Sequence, residues 1–198
     1  MKKDMFYTID KIRNRINELD GFRYREAFDI TEFDTKLNDD KDVSPKIPTE
    51  FDGKIALGET WKGRDLYLWM TKKVDIPSSW ADKDIVGVFD FGETGAGNNS
   101  GFESLFYLNN KPYQGVDSNH KEVFLPKELA GKSVDLLFRL WTGLEGGGEP
   151  KDQEHRINKA KVAYLDSKVD DLYYNAMVIL ETIVELDEFS VDRVNLLK

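Results

Sequence analysis

Between residues 53 and 141 the sequence alternates short apolar runs with turn-forming residues, and this rhythm restricts the fold more than any other feature. Glycine-containing pairs such as Asp52-Gly53 and Ala130-Gly131 separate the runs. Many short strands without intervening helices are typical of an antiparallel β-sandwich or jelly roll. We therefore predict a mainly β fold, an antiparallel, jelly-roll-like sandwich at residues 22–150. The runs are 54–57, 64–70, 85–91, 104–108, 121–125 and 133–141.

Three of these runs also predict which residues are buried and which residues form a turn. In 66–70 both faces are apolar, as in a strand covered on both sides. In 85–91 the alternate residues Ile85, Phe89 and Phe91 can face inward together, with Gly87 leaving space between them. The segment 104–113 reads as a hairpin, because the Asn pair at 109–110 tolerates the positive φ that a tight turn demands.

Helices are predicted on both sides of the sandwich. Residues 4–20 form a short amphipathic pattern, and the Asp-Gly pair at 20–21 predicts its end, so we assign 1–21 to an N-terminal helix. No Gly or Pro occurs between 152 and 188. There the apolar residues recur at helical spacing, which predicts a helix of about 30 residues and about 45 Å within a C-terminal segment 151–198. The recurring residues are Val162, Leu165, Val169, Leu172, Ala176, Ile179 and Ile183.

Composition and charge exclude several classes of protein. The net charge of −9 argues against a nucleic-acid partner, whose phosphates need a basic face. No stretch approaches 18 consecutive apolar residues, and the N-terminus lacks the apolar core of a secretion signal. We therefore expect no membrane partner. The sequence has no cysteine, which removes disulfides and thiolate metal sites and suits a cytoplasmic location.

The sequence offers no recognisable catalytic motif. Its two histidines, His120 and His155, lie in different segments, so no histidine-built zinc spacing is present. The glycine-rich segment 92–101 lacks the Lys-Ser/Thr of a phosphate loop. Polar and aromatic residues near the predicted turns are instead candidates for facing a sugar or a neighbouring domain. They are Asn99, Gln114, Asp117, Asn119, His120, Trp141 and Glu145.

Two parts of the sequence carry a family resemblance. The first part comprises FDFG at 89–92, NSGFESLFYLNNKPYQGVDSNH at 99–120 and FRLWTGLEGGG at 138–148. The second comprises AYLD at 163–166, VDDLYY at 169–174 and LETI at 180–183. Together they resemble the N-terminal region of bacterial, cytosolic-type α-mannosidases of glycoside hydrolase family 38. The resemblance implies a parent enzyme that hydrolyses terminal α-D-mannosides with retention, using a divalent metal, commonly zinc, and an aspartate nucleophile.

The chain departs from that family in one decisive respect. The metal-binding His-x-His-x-Asp signature and the nucleophile region have no match in it. The resemblance therefore implies that catalytic and metal-binding residues lie in a catalytic domain after Lys198, and that this chain by itself is inactive and holds no cofactor. It also implies a partner for the 152–188 helix, namely that catalytic domain, with the mannose-containing glycan bound by the parent enzyme.

Two alternatives stay open from the sequence. The sandwich pattern, with its polar residues near turns, also fits an independent carbohydrate-binding module. The apolar stripe of the C-terminal helix also fits an interaction domain that forms a homo-oligomer through this helix.

Overall fold

The computed structural model of the chain describes residues 8–38, 40–42, 44–92, 102–144 and 148–197. The helices are α1 (Thr8–Arg23), α2 (Ser167–Glu185) and α3 (Val191–Leu196), with single 3₁₀ turns at Ser78–Trp80 and Lys127–Leu129. The strands are β1 (Tyr24–Asp29), β2 (Glu32–Asn38), β3 (Gly53–Ala56), β4 (Thr60–Gly63), β5 (Tyr67–Asp75), β6 (Asp84–Asp90), β7 (Glu103–Leu108), β8 (Lys111–Asp117), β9 (Glu122–Leu125), β10 (Ser133–Trp141), β11 (Gln153–Arg156) and β12 (Lys159–Leu165).

The strands form antiparallel sheets, which confirms the predicted fold class. A six-stranded sheet has the order β3-β2-β5-β10-β7-β8, and all of its neighbouring pairs are antiparallel. A four-stranded sheet has the order β1-β12-β6-β9, and β4 with β11 forms a separate antiparallel ribbon. The chain divides into two compact units, a sandwich unit at 27–163 and a helical unit made of 1–26 and 164–198.

Aromatic rings from both sheets fill the centre of the sandwich unit. The ring of Phe138 on β10 lies 4.6 Å from that of Phe89 and 5.0 Å from that of Phe91, both on or next to β6. On its own sheet it lies 4.9 Å from Phe106 and 6.0 Å from Phe33. All five rings are fully buried. This cluster holds the two sheets face to face, because large rings bury much apolar area and pack edge to face.

Gly87 makes room for this cluster, as predicted. A Cβ atom at Gly87 would lie 2.5 Å from Cε2 of Phe89, which is far inside van der Waals contact. Ile85, Phe89 and Phe91 are all completely buried. The spacing of the apolar residues therefore identified the inward face of β6 correctly.

The six-stranded sheet is also covered on its other face, which confirms the prediction for 66–70. Trp69 of β5 packs there with Tyr107 and Leu137, and Ile47 and Phe51 cover them. A short irregular segment thus closes over an apolar face that would otherwise be in water.

Arg139 ties this covering segment to the sheet. Its guanidinium lies 3.8 Å from the ring centroid of Tyr67 and donates hydrogen bonds to the carbonyl oxygens of Asp40, at 2.7 Å, and Asp42, at 3.2 Å. The buried arginine stem and its donors therefore hold in place backbone that has no sheet partner of its own.

The hairpin prediction is also confirmed. Strands β7 and β8 pair antiparallel, and the turn residues Asn109 and Asn110 have φ values of 50° and 63°. Asparagine tolerates this left-handed region better than other residues with a side chain, so the local sequence encodes the turn.

The predicted helix at 152–188 is wrong in its first part. Residues 153–165 form β11 and β12, and α2 begins only at Ser167 and has 19 residues, so it is about 28 Å long. Buried Gln153 and His155 alternate with exposed neighbours, which is the period of a strand. Val162 and Leu165 fit a helical spacing too, but sheet pairing decided their conformation, since short apolar patterns fit both periods.

The predicted end of the N-terminal helix is also wrong. Gly21 lies inside α1, which continues to Arg23. The guanidinium of Arg23 bonds Asp20 one turn earlier, at 3.0 Å, and Asp170 of α2, at 2.7 Å. These contacts keep the last turn helical although glycine weakens a helix by roughly 1 kcal/mol.

Candidate functional site

The described candidate residues lie towards one end of the sandwich unit. Trp141 at the end of β10 pairs with Glu103 at the start of β7, and Glu103 pairs with Asp117 at the end of β8. At the usual strand spacing, Trp141 and Asp117 are therefore roughly 10 Å apart. Asn99 and Glu145 lie outside the described residues.

Asp117 organises the tight turn that follows β8. Its carboxylate oxygen Oδ1 accepts hydrogen bonds from the backbone N–H groups of Asn119, at 2.7 Å, and His120, at 2.9 Å, and lies 3.0 Å from Nδ1 of the exposed His120 ring. Burial works to raise the pKa of Asp117, but the hydrogen bonds from the His120 ring and from these backbone groups outweigh it and lower the pKa. The three residues form a hydrogen-bonded turn.

Gln114 and Trp141 also use their polar atoms within the chain. The side-chain amide of Gln114 donates to the carbonyl oxygen of Glu122 at 2.9 Å, and the indole N–H of Trp141 donates to Asp65 at 3.0 Å. Both are polar groups satisfied locally, as most half-buried groups are. That these candidates face a sugar or another domain stays a prediction.

A second polar cluster at this end escaped the sequence analysis. The carboxylate of Asp90, at the end of β6, accepts hydrogen bonds from Lys121 Nζ at 2.7 Å, from the backbone N–H of Gly92 at 3.0 Å and from Asn158 Nδ2 at 3.3 Å. Burial raises the pKa of Asp90, yet these donors outweigh burial and leave the pKa lowered. One ionised carboxylate thus joins three segments that are distant in sequence.

A buried polar layer lies beside the β4–β11 ribbon. His155 is almost fully buried, stacks on Trp61 with ring centroids 4.8 Å apart, and its Nε2 lies 2.9 Å from the carbonyl oxygen of Thr142. Burial lowers the pKa of His155 and outweighs its backbone hydrogen bonds, so the ring is neutral near pH 7. Such a ring packs and orders the ribbon.

An open cleft of about 650 Å³ lies between the edge of the six-stranded sheet and this ribbon. Ile55, Leu68 and Trp61 line it with apolar surface, and all three are largely buried. Its other lining residues are Thr35, Lys54, Gly58, Glu59, Thr60 and Arg156. The cleft thus combines a small apolar floor with several polar groups.

Within the described part of the chain, no group of three or more His, Cys, Asp or Glu side chains is arranged to hold a metal ion. In the same part, no helix is long and apolar enough to cross a membrane.

Comparison with solved structures finds the same fold in part of a larger enzyme. A β-glucuronidase from Faecalibacterium prausnitzii superposes with a TM-score of 0.53 at 13% identity, covering 72% of this chain and 31% of the enzyme. A β-glucuronidase from Ruminococcus gnavus, in complex with D-glucaro-d-lactam, gives a TM-score of 0.49 at 9% identity, covering 72% of this chain and 30% of that one. This chain therefore spans about a third of the length of these enzymes. Neither a family model nor a curated protein sequence matches it.

At this level of identity the first likeness establishes the fold alone. The sandwich fold of this chain also occurs as part of a glycosidase, the β-glucuronidase of Faecalibacterium prausnitzii.

Proposed function

We propose that this chain is a non-catalytic domain of a glycosidase and, more narrowly, the N-terminal domain of a retaining, metal-dependent α-mannosidase. In this role it positions the catalytic domain and shapes one wall of the substrate cleft. The observation that carries the proposal is that two stretches that resemble family 38, 99–120 and 138–148, contribute the neighbouring strands β7 and β10 to one sheet. Residues that resemble one family but are far apart in sequence are thus brought together.

The proposal assigns the remaining parts of the reaction elsewhere. The divalent metal, commonly zinc, belongs to the catalytic domain, as does the aspartate nucleophile. The parent enzyme binds the mannose-containing glycan and acts in the cytoplasm. A chain without cysteine has no disulfide that the reducing cytoplasm could break.

The experiment that tests this is hydrolysis of two nitrophenyl glycosides, the α-mannoside and the β-glucuronide. Each is offered to the 198-residue chain and to the full-length product of its gene, with and without added zinc. We expect only the full-length protein to release nitrophenol, and only from the α-mannoside. Activity in this chain would contradict the assignment of the chemistry, and preference for the glucuronide would contradict the assignment of the family.

The proposed partner of the helical unit is the catalytic domain of the same polypeptide. On α2 the side chains of Leu172 and Ile179 are 54% and 46% exposed although both are large and apolar. They are seven residues apart and so lie on the same side of the helix. Exposed apolar side chains at this spacing are typical of a docking face.

Replacing both residues, Leu172→Gln with Ile179→Gln, tests this contact. In the full-length protein we expect a lower melting temperature and faster proteolysis between the two domains, because the docking face has become polar. In the 198-residue chain the melting temperature should change little. Lys168→Gln, an exposed change on the same helix, is the control. A dimer of the isolated chain that the double variant abolishes would favour the homo-oligomeric interaction domain instead.

A further inference from the structure

Among the described residues, the guanidinium of Arg156 has no partner. All eight arginines of the sequence lie in the described part of the chain, and within that part the side chain of Arg156 alone makes no hydrogen bond, ion pair or ring contact. Six of the others contact carboxylates, carbonyl oxygens or aromatic rings, and Arg64 also makes an interaction. An unpaired guanidinium has five donors in a planar fork, a geometry that matches a carboxylate or a phosphate.

The backbone of Arg156 is held firmly at the cleft. It pairs with Thr60 across the β4–β11 ribbon. A Cβ atom at Gly92 would lie 2.4 Å from the backbone nitrogen of Arg156, so the two segments are in direct contact. A Cβ atom at Gly58 would lie 3.7 Å from Nη2, which places the guanidinium over this turn. The fold therefore presents the charge to the cleft from a fixed strand.

The other walls supply the groups that a sugar needs. Thr35 and Thr60 contribute hydroxyl groups, and Ile55 and Leu68 give an apolar floor for the C–H face of a ring. A second cation, Lys54, lines the cleft, although Glu32 holds its ammonium group at 2.5 Å. Arg156 is therefore the cation available to a ligand.

We propose that this cleft binds a small carbohydrate that carries an anionic group, a carboxylate or a phosphate, on the guanidinium of Arg156. The hydroxyl groups of Thr35 and Thr60 bind the sugar hydroxyls. All of the residues that line this cleft belong to the sandwich unit.

Titration calorimetry of the 198-residue chain tests this with four probes: glucuronate, mannose 6-phosphate, mannose and inorganic phosphate. We expect one of the two charged sugars to bind at least tenfold more tightly than mannose and than inorganic phosphate. The two charged sugars decide between carboxylate and phosphate. Arg156→Gln should weaken that binding by about tenfold or more, because a charge-assisted hydrogen bond is lost. Arg156→Lys should recover part of it, since lysine keeps the charge without the fork.

Lys62→Gln is the matched control, because Lys62 is an exposed cation on the same ribbon that does not line the cleft. It should leave the affinity unchanged, and both variants should melt at the temperature of the unmodified chain. The proposal is wrong if no charged sugar binds, if mannose binds as tightly as its 6-phosphate and glucuronate, or if the Arg156 and Lys62 variants lose affinity equally. Binding of inorganic phosphate as tight as that of the sugar phosphate would overturn the carbohydrate part.

Discussion

The two compact units of the chain are stabilised in different ways. In the sandwich unit, aromatic side chains from facing sheets meet in a core without charge, centred on Phe138. In the described part of the helical unit, α2 buries Leu180 and Ile183, and α1 buries Ile16 together with a charged residue, Arg23. Because two short helices make only a small apolar core, a buried ion network supplements apolar burial in the helical unit.

Arg23, the buried arginine of the helical unit, is enclosed on several sides. Besides Asp20 and Asp170, the guanidinium of Arg23 lies 4.7 Å from the ring of Tyr173 and 4.9 Å from that of Tyr174, and only 3% of the residue is exposed. A buried charge is tolerated only when its donors are satisfied in this way. Four predictions test whether the two units depend on these different interactions.

The largest effect is expected in the sandwich core. Phe138→Ala removes the ring that contacts four others and should lower the free energy of unfolding by about 3–5 kcal/mol, because the rigid core cannot collapse into the cavity. Urea denaturation gives the value. Phe124→Ala is the control, since that ring on β9 is 53% exposed and little apolar burial is lost with it. Equal losses from the two variants would show that the ring cluster is not the stabilising centre.

The next effect is expected from the buried arginine. Arg23→Ala leaves Asp170 half-buried without its partner and should cost about 3 kcal/mol, at the lower end for a broken buried pair because Asp170 keeps partial contact with water. Hydrogen exchange should then accelerate in α1 and α2 before it does in β6 and β10. Arg13→Ala breaks only the exposed pair with Asp10 and should leave exchange unchanged. If hydrogen exchange accelerated equally in all helices and strands, the proposed difference in how the two units are stabilised would be wrong.

Two glycine replacements should change the free energy of unfolding in opposite directions. Gly87→Ala puts a methyl group 2.5 Å from the ring of Phe89 and should destabilise by about 1–3 kcal/mol through overpacking. Gly21→Ala meets no atom within 4 Å in α1 and should stabilise by up to about 1 kcal/mol, because alanine favours a helix. Thermal unfolding of the two variants provides the comparison, and a stabilising Gly87→Ala would mean that the core is loosely packed.

The last prediction concerns the dependence of stability on pH. Since burial lowers the pKa of His155, the unfolded chain binds a proton more readily than the folded one, and stability falls as the pH drops below about 6.5. The slope is at most about 1.4 kcal/mol per pH unit for one proton. Denaturation at pH 7 and pH 5 should show this loss in the unmodified chain and in His120→Gln, and much less of it in His155→Gln. A loss that persists in His155→Gln would assign the effect to another group.

The carboxylates of Asp90 and Asp117 affect stability in a different, lower pH range. Asp90 and Asp117 have lowered pKa values, so the stability that they contribute is present above their unfolded pKa near 4 and is lost as the pH falls further. A loss of stability between pH 7 and pH 5 is therefore assigned to His155.

Strands that carry a clear local signal could be predicted from the sequence. The hairpin at Asn109 and Asn110 and the inward face of β6 depend on neighbours within a few residues, so their patterns are visible in the chain. Strands β2, β4 and β11 were missed because polar or charged residues alternate with a few buried ones, as in β11 where only Gln153 and His155 are buried. Their conformation comes from pairing with distant strands, which no short window contains.

The candidate site divides in the same way. The sequence identified turn residues around Asp117, since turn chemistry is local. It did not identify the cleft at Arg156, because that cleft combines β2, β3 and β4 with a strand far along the chain. An arginine is recognised as unpaired only when all of its possible partners have been placed.

The sequence alone indicated a mainly β chain with helical termini, the inward face of β6 with Ile85, Phe89 and Phe91, and a resemblance to a glycosidase domain. Apolar periodicity and turn residues carry that information because burial and backbone conformation are set by near neighbours. Only the tertiary structure decided that 153–165 is strand, that Arg23 is enclosed, and that Arg156 faces an open cleft. These outcomes depend on contacts between residues distant in sequence, whose free energies compete with local preferences of about 1 kcal/mol and outweigh them.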